Sequence, residues 1–114
     1  MKLIEVKKVD DALLQEVVKR IVSTINPVRI ILFGSYAYGK PKKWSDLDIL
    51  VIVDRVSSSR REERIKIRAL LQDLLIPKDI IVATVSDVEE WKNVSQAFLI
   101  SIIRKGRVLY ERKN

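Results

Sequence analysis

The stretch ILFGSYAYGKPKKWSDLDILVIV, residues 31–53, decides how this chain is built. Two apolar runs flank a polar segment that opens on Gly34-Ser35 and closes on Asp46-Leu47-Asp48. Short β-branched runs bounded by glycine, proline and serine read as buried strands. Asp48 therefore stands at the head of a strand meant for a core, where a charge is costly. Residues i and i+2 of a strand project to one face, so Asp46 and Asp48 point the same way if the strand begins near Ser45 or Asp46. Neighbouring carboxylates repel unless something positive lies between them.

The flanking sequence supplies a frame for this hairpin of runs. DALLQEVVKRIVSTI (11–25) places Leu14, Val17, Val18, Ile21, Val22 and Ile25 on one helical face, with Asp10 or Asp11 as cap and Asn26-Pro27 as stop. VRIILF (28–33) is the first strand, SYAY opens a short helix before the Gly39–Pro41 break, and LDILVIV (47–53) is the second strand. A helix over 60–75, capped by a serine of SSSR (57–60), turns Ile67, Leu70, Leu71 and Leu74 inward and stops before Pro77. DIIVATV (79–85) is a third strand, and Ser86 with Glu89 forms a capping box for SDVEEWK. A last helix over about 95–105 ends at Gly106 as its C′ residue, and RVLY (107–110) adds a short strand. The order α-β-α-β-α-β-α-α-β predicts an α/β (α+β) fold: a small mixed β-sheet with flanking helices, residues 1–114 forming one domain.

Composition narrows the chemistry. The 114 residues include no cysteine and no histidine, which removes disulfides, thiolate and imidazole metal sites, and histidine acid–base catalysis. No run of about 18 uncharged apolar residues occurs, so no membrane span is expected. The charged N-terminus is no signal-peptide core, and a cytoplasmic location is expected. The net charge of +7 suits an anionic partner or merely a solvated surface. Nucleic acid is disfavoured, because no aromatic residues interleave with the basic ones and no groove-reading motif is present.

A third acid strengthens the pair. Asp79 opens its apolar strand as Asp48 opens ILVIV, so neighbouring strands would bring Asp46, Asp48 and Asp79 together. A hard divalent cation is the natural partner, since Mg²⁺ takes carboxylate, water and phosphate oxygens. Plainer roles exist: Asp46 can cap a turn, and Asp79 can be a turn residue after Pro77-Lys78. Gly34-Ser35 after a strand offers free backbone N–H groups and a hydroxyl where a phosphate could approach closely, although alone it is only a turn. Trp44 and Trp91 read as partly buried packing before they read as base-stacking groups. The arginines at 60, 61, 64 and 68, with Glu62 and Glu63, read as a mixed helix surface with local ion pairs.

Gly34-Ser35-Tyr36-Ala37-Tyr38-Gly39, then Ser45-Asp46-Leu47-Asp48-Ile49-Leu50-Val51, then Asp79-Ile80-Ile81-Val82, resembles the minimal nucleotidyltransferase (MNT) proteins of the DNA polymerase β-like nucleotidyltransferase superfamily. The resemblance implies the polymerase β palm-like fold and a Mg²⁺-dependent transfer of AMP from ATP to an acceptor hydroxyl. Gly34 and Ser35 would hold the nucleotide. Asp46, Asp48 and Asp79 would hold metal and be catalytic, Asp79 also activating the acceptor. Family members often carry arginines where this chain has Tyr36 and Tyr38, so Lys40, Lys42 and Lys43 would have to supply the missing charge. The resemblance also implies a helical HEPN-type partner, with this chain as the antitoxin of a HEPN/MNT toxin–antitoxin pair. A homo-oligomer is left open. A different class of function stays beside it: a catalytically weak nucleotide-binding module that neutralises its partner by direct binding.

Overall fold

The computed structural model describes residues 2–113; Met1 and Asn114, the ends of the expected 1–114 domain, lie outside the described residues. In chain order the elements are β1 (Ile4–Glu5), α1 (Asp11–Ile25), β2 (Arg29–Phe33), α2 (Ser35–Tyr38), β3 (Leu47–Val53), α3 (Arg60–Leu70), β4 (Leu74–Leu75), β5 (Lys78–Thr84), α4 (Val85–Trp91), α5 (Phe98–Lys105) and β6 (Arg107–Glu111). Four strands make a mixed sheet in the order β5-β3-β2-β6, in which β3 and β5 run parallel and the other pairs antiparallel. The small mixed sheet with flanking helices is thus the observed architecture.

Strand alternation divides the core into two layers. Ile30, Leu32, Leu47, Ile49, Val51, Ile80 and Val82 face Leu14, Val17 and Ile21 of α1 and Ile67 of α3. Ile31, Phe33, Leu50, Ile52 and Ala83 face the other way, against Ile102 and Leu99 of α5 and Val88 of α4. Nearly every residue of β3 is buried, as a central strand covered on both sides must be. The parallel β3–β5 pair is joined through α3, the crossover that such pairs require.

Caps settle the helix ends. Asp10 accepts from the Leu13 N–H at 2.9 Å, and Ser59 from the Glu62 N–H at 3.1 Å. The capping box of α4 is Thr84 with Asp87, not Ser86 with Glu89: the Thr84 hydroxyl accepts from Asp87 N–H, and the Asp87 carboxylate from Thr84 N–H. The strand ends one residue earlier than expected, which shifts the cap by two positions. Helix α3 also stops at Leu70 instead of continuing to 75. Arg20 of α1 donates to the Leu70 carbonyl at 3.0 Å and to Asp73 at 2.6 Å, satisfying groups that further helix would have used. Leu74 and Leu75 pair instead with Ile4 and Glu5 as a two-residue parallel ladder. Helix α5 begins at Phe98, after turns closed by Val94 N–H to Trp91 O and Ala97 N–H to Val94 O.

Gly106 is no left-handed C′ residue, since its φ is −73°. Its need for glycine is steric: an added Cβ would lie 2.5 Å from Ile31 Cγ2, 2.6 Å from the Ile102 carbonyl oxygen and 2.8 Å from that of Leu32. Two of these atoms are backbone and cannot swing aside. Gly106→Ala is expected to lower unfolding free energy by about 1–3 kcal/mol in denaturant titration, the ordinary cost of overpacking.

Candidate active site

The register of β3 on β5 builds the site. Leu47 pairs with Lys78, Asp48 with Asp79, and Ile49 with Ile80. Lateral partners in a sheet share a face at a strand spacing of about 4.8 Å, so Asp48 and Asp79 stand side by side. They project on the α5 side, the face of Leu50, Ile52 and Ala83. Asp46 lies two residues ahead of Asp48, just outside β3, and adds its charge to the same neighbourhood. None of the three carboxylates has a hydrogen-bond or ion-pair partner among the described residues.

Glycine at 34 and aspartate at 48 are sterically coupled. Phe33 is the β2 partner of Asp48, so the next residue turns directly beneath that carboxylate. A Cβ on Gly34 would sit 2.0 Å from Asp48 Oδ2, and the residue's φ is +73°, which side chains rarely tolerate. The Ser35 and Tyr36 N–H groups that follow have no partner among the described residues. Phe33 meets Phe98 edge-to-face, ring centroids 6.1 Å apart, which sets the start of α5 on the sheet face from which the acids project. Nothing local in the sequence names Phe33 as the partner of Phe98.

Electrostatics follow from the crowding. Burial, then Asp79, then Asp46 push the Asp48 carboxyl up to about 6 from 3.8. Like charges gathered without a protein cation fit a hard divalent ion by the chemistry of their donor set. Among the described residues no group of three or more acidic side chains is placed to hold a metal ion: the structure pairs Asp48 with Asp79 and does not close Asp46 into one ligand set with them.

The loop before Asp46 is ordered by Ser45. Its Oγ accepts from Lys42 N–H at 2.7 Å, and its N–H donates to the Lys42 carbonyl at 3.0 Å. Lys43 and Trp44 thereby form the tip, with Lys43 Nζ 5.1 Å from the Trp44 ring centroid. Trp44 is 78% exposed and Trp91 is also exposed, which corrects the expectation of packed tryptophans. Both sit on loops or helix ends where no second layer covers them. Tyr36 packs against the larger core and Tyr38 is exposed.

Two outcomes follow. Asp48's raised value means the folded chain favours the protonated carboxyl, so its stabilising contribution is full below 3.8 and is lost as pH rises through about 6. In EDTA, Asp48→Asn should therefore stabilise the protein at pH 8 by on the order of 1 kcal/mol after solvent screening. That gain should fade below pH 4 in paired denaturant titrations. Gly34→Ala should cost about 2 kcal/mol from backbone and contact strain, and Asp48→Ala in the same chain should recover part of it.

Comparison with known proteins agrees with this construction. Residues 13–110 match the nucleotidyltransferase domain family. The chain is 32% identical over 84 residues to "Putative protein adenylyltransferase MJ0604" of Methanocaldococcus jannaschii, across 72% of this chain and 77% of that protein. Topoisomerase 1-associated factor 1 of Cryptococcus neoformans is 37% identical over 79 residues, or 61% of this chain, but the chain spans only 7% of its length. A crystal structure of a toxin–antitoxin with AMP-PNP superimposes with a TM-score of 0.57 at 21% identity, over 88% of this chain and 74% of that one. A mutant of the toxin–antitoxin MntA-HpeT gives 0.53 at 19% identity with the same coverage. At those identities the likeness is one of fold. With the match spanning all but the first twelve and last four residues and two of the acids in register on adjacent strands, this protein belongs to the nucleotidyltransferase domain family.

Proposed function

We propose that this nucleotidyltransferase moves AMP from ATP to a hydroxyl on a partner protein, with Asp46, Asp48 and Asp79 as its catalytic acids. The observation that supports it most is the in-register pair Asp48–Asp79 with Gly34 beneath it. In this reading Asp46, Asp48 and Asp79 hold Mg²⁺, which when bound lends positive charge to the phosphate oxygens. Gly34 lets the triphosphate approach the backbone closely, and the free N–H groups after it, with the Ser35 hydroxyl, donate to its oxygens. Asp79, exposed at the head of β5, accepts the acceptor's proton as its oxygen attacks the α-phosphorus. The bond from the α-phosphorus to the bridging oxygen breaks, and pyrophosphate leaves.

The relative named as an adenylyltransferase supports AMP as the transferred group, and the toxin–antitoxin crystal structure with AMP-PNP supports a nucleotide of the ATP type. We extend this to the antitoxin of a HEPN/MNT pair, the HEPN-type helical protein being the acceptor. One observation favours the alternative of neutralisation by direct binding: α2 contributes no cation to offset phosphate charge, and the lysines lie further on in the loop. No helix among the described residues is long and apolar enough to cross a membrane.

Incubation with Mg²⁺, α-labelled ATP and the partner should label the partner and release pyrophosphate. Asp46→Ala/Asp48→Ala should lower the rate about a hundredfold or more; equal labelling would remove the assignment. If the same variant still protects cells from the partner, neutralisation is by contact. Millimolar Mg²⁺ should raise the melting temperature more at pH 8 than at pH 5, because the ion must displace a proton from Asp48 at the lower pH.

A further inference from the structure

The charges of α3 are not paired locally as the sequence suggested. Arg60 reaches across to Asp87 of α4, Glu62 accepts from Ser58 Oγ at 2.6 Å, and Glu63 is turned inward at 7% exposure. Arg61, Arg64 and Arg68 are exposed and have no carboxylate within ion-pair reach among the described residues. Their spacing puts them along one side of the helix. Ile65 lies in the same row and is 51% exposed, a large apolar side chain among cations. The row ends in a recess of about 440 Å³ lined by Ile65, Arg68, Ala69, Gln72 and Lys78. Lys78 Nζ donates to the Leu74 carbonyl at 2.8 Å, and burial followed by Arg68 holds this lysine below its ordinary range. Asp79 follows immediately, on the edge strand of the sheet.

We propose that Arg61, Arg64, Arg68 and Lys78 form the docking strip for an acidic amphipathic segment of the acceptor protein, with Ile65 and Ala69 receiving one apolar side chain between the charges. Charge complementarity carries the choice of occupant: Glu62 bonds Ser58, Asp87 bonds Arg60 and Thr84, Glu89 pairs with Lys92, and among the described residues no carboxylate pairs with Arg61, Arg64 or Arg68, which leaves the strip open to countercharge from a partner. The apolar floor at Ile65 and Ala69 favours a protein segment over a phosphate backbone, which gains nothing there. No aromatic lies in the strip on which a base could stack. The strip rests on the proposed function for the identity of its occupant; it lies on the α3 side of the sheet, to which Lys78 points, while Asp79 projects to the α5 side.

The test uses the full chain without nucleotide, so that failure of the transfer chemistry leaves the binding readout intact. The probe is a fluorescent helical peptide with glutamates at i, i+4 and i+7 around one leucine, read by anisotropy at low and moderate salt. Binding should weaken about tenfold in Arg64→Glu/Arg68→Glu and severalfold in Ile65→Ser, with melting curves of both variants close to the parent's. Equal binding of a peptide whose leucine is moved to the opposite face would overturn the proposal, as would unchanged binding by the double variant. So would poly(U) RNA that binds more tightly than the peptide and ignores Ile65→Ser, since that outcome assigns the strip to nucleic acid.

Discussion

Everything at the acidic end of this protein depends on how β5 docks beside β3. Parallel pairing sets Asp48 opposite Asp79, and a slip of one residue would turn one of them into the α1–α3 core. That register sets Ile49 beside Ile80 and Val51 beside Val82 in the layer that faces α1 and α3. The hydrophobic layer therefore positions the acids, although neither acid contributes to that layer. Repulsion between the two carboxylates is opposed by the whole strand pair.

The same arrangement explains why the site is costly where it stands. Asp48 is partly withdrawn from water, next to other acids, with glycine beneath it and aromatic rings beside it. A chain selected for stability alone would place an apolar or hydroxyl side chain there. The structure tolerates the charge because β3 is otherwise buried along its length and α1, α3 and α5 clamp both of its faces.

Much of this was legible before any coordinates. The run LDILVIV coincides with β3 residue for residue, because a central strand covered on both faces is written as unbroken aliphatic sequence. The Asp48–Asp79 meeting was legible too, since both acids open such runs. What stayed hidden depended on distant partners. Arg20 ends α3 from another helix, and Phe98 finds Phe33 across the sheet. The two-residue β1–β4 ladder is too short for any period to announce. Thr84 and Ser86 both offer plausible caps, and only the last ladder contact of β5 at Thr84 chooses between them. Gly106 is glycine because of Ile31 and Leu32, residues far away in sequence.

The crossover through α3 has a consequence for how the protein comes to be active. Asp48 and Asp79 lie on opposite sides of a helix and two loops, so their meeting is a non-local contact that forms late relative to local helix structure. An unfolded or half-folded chain offers a cation only scattered single carboxylates. Any affinity of these acids for a divalent ion would thus be a property of the finished topology, and an ion held there would report that the crossover has closed.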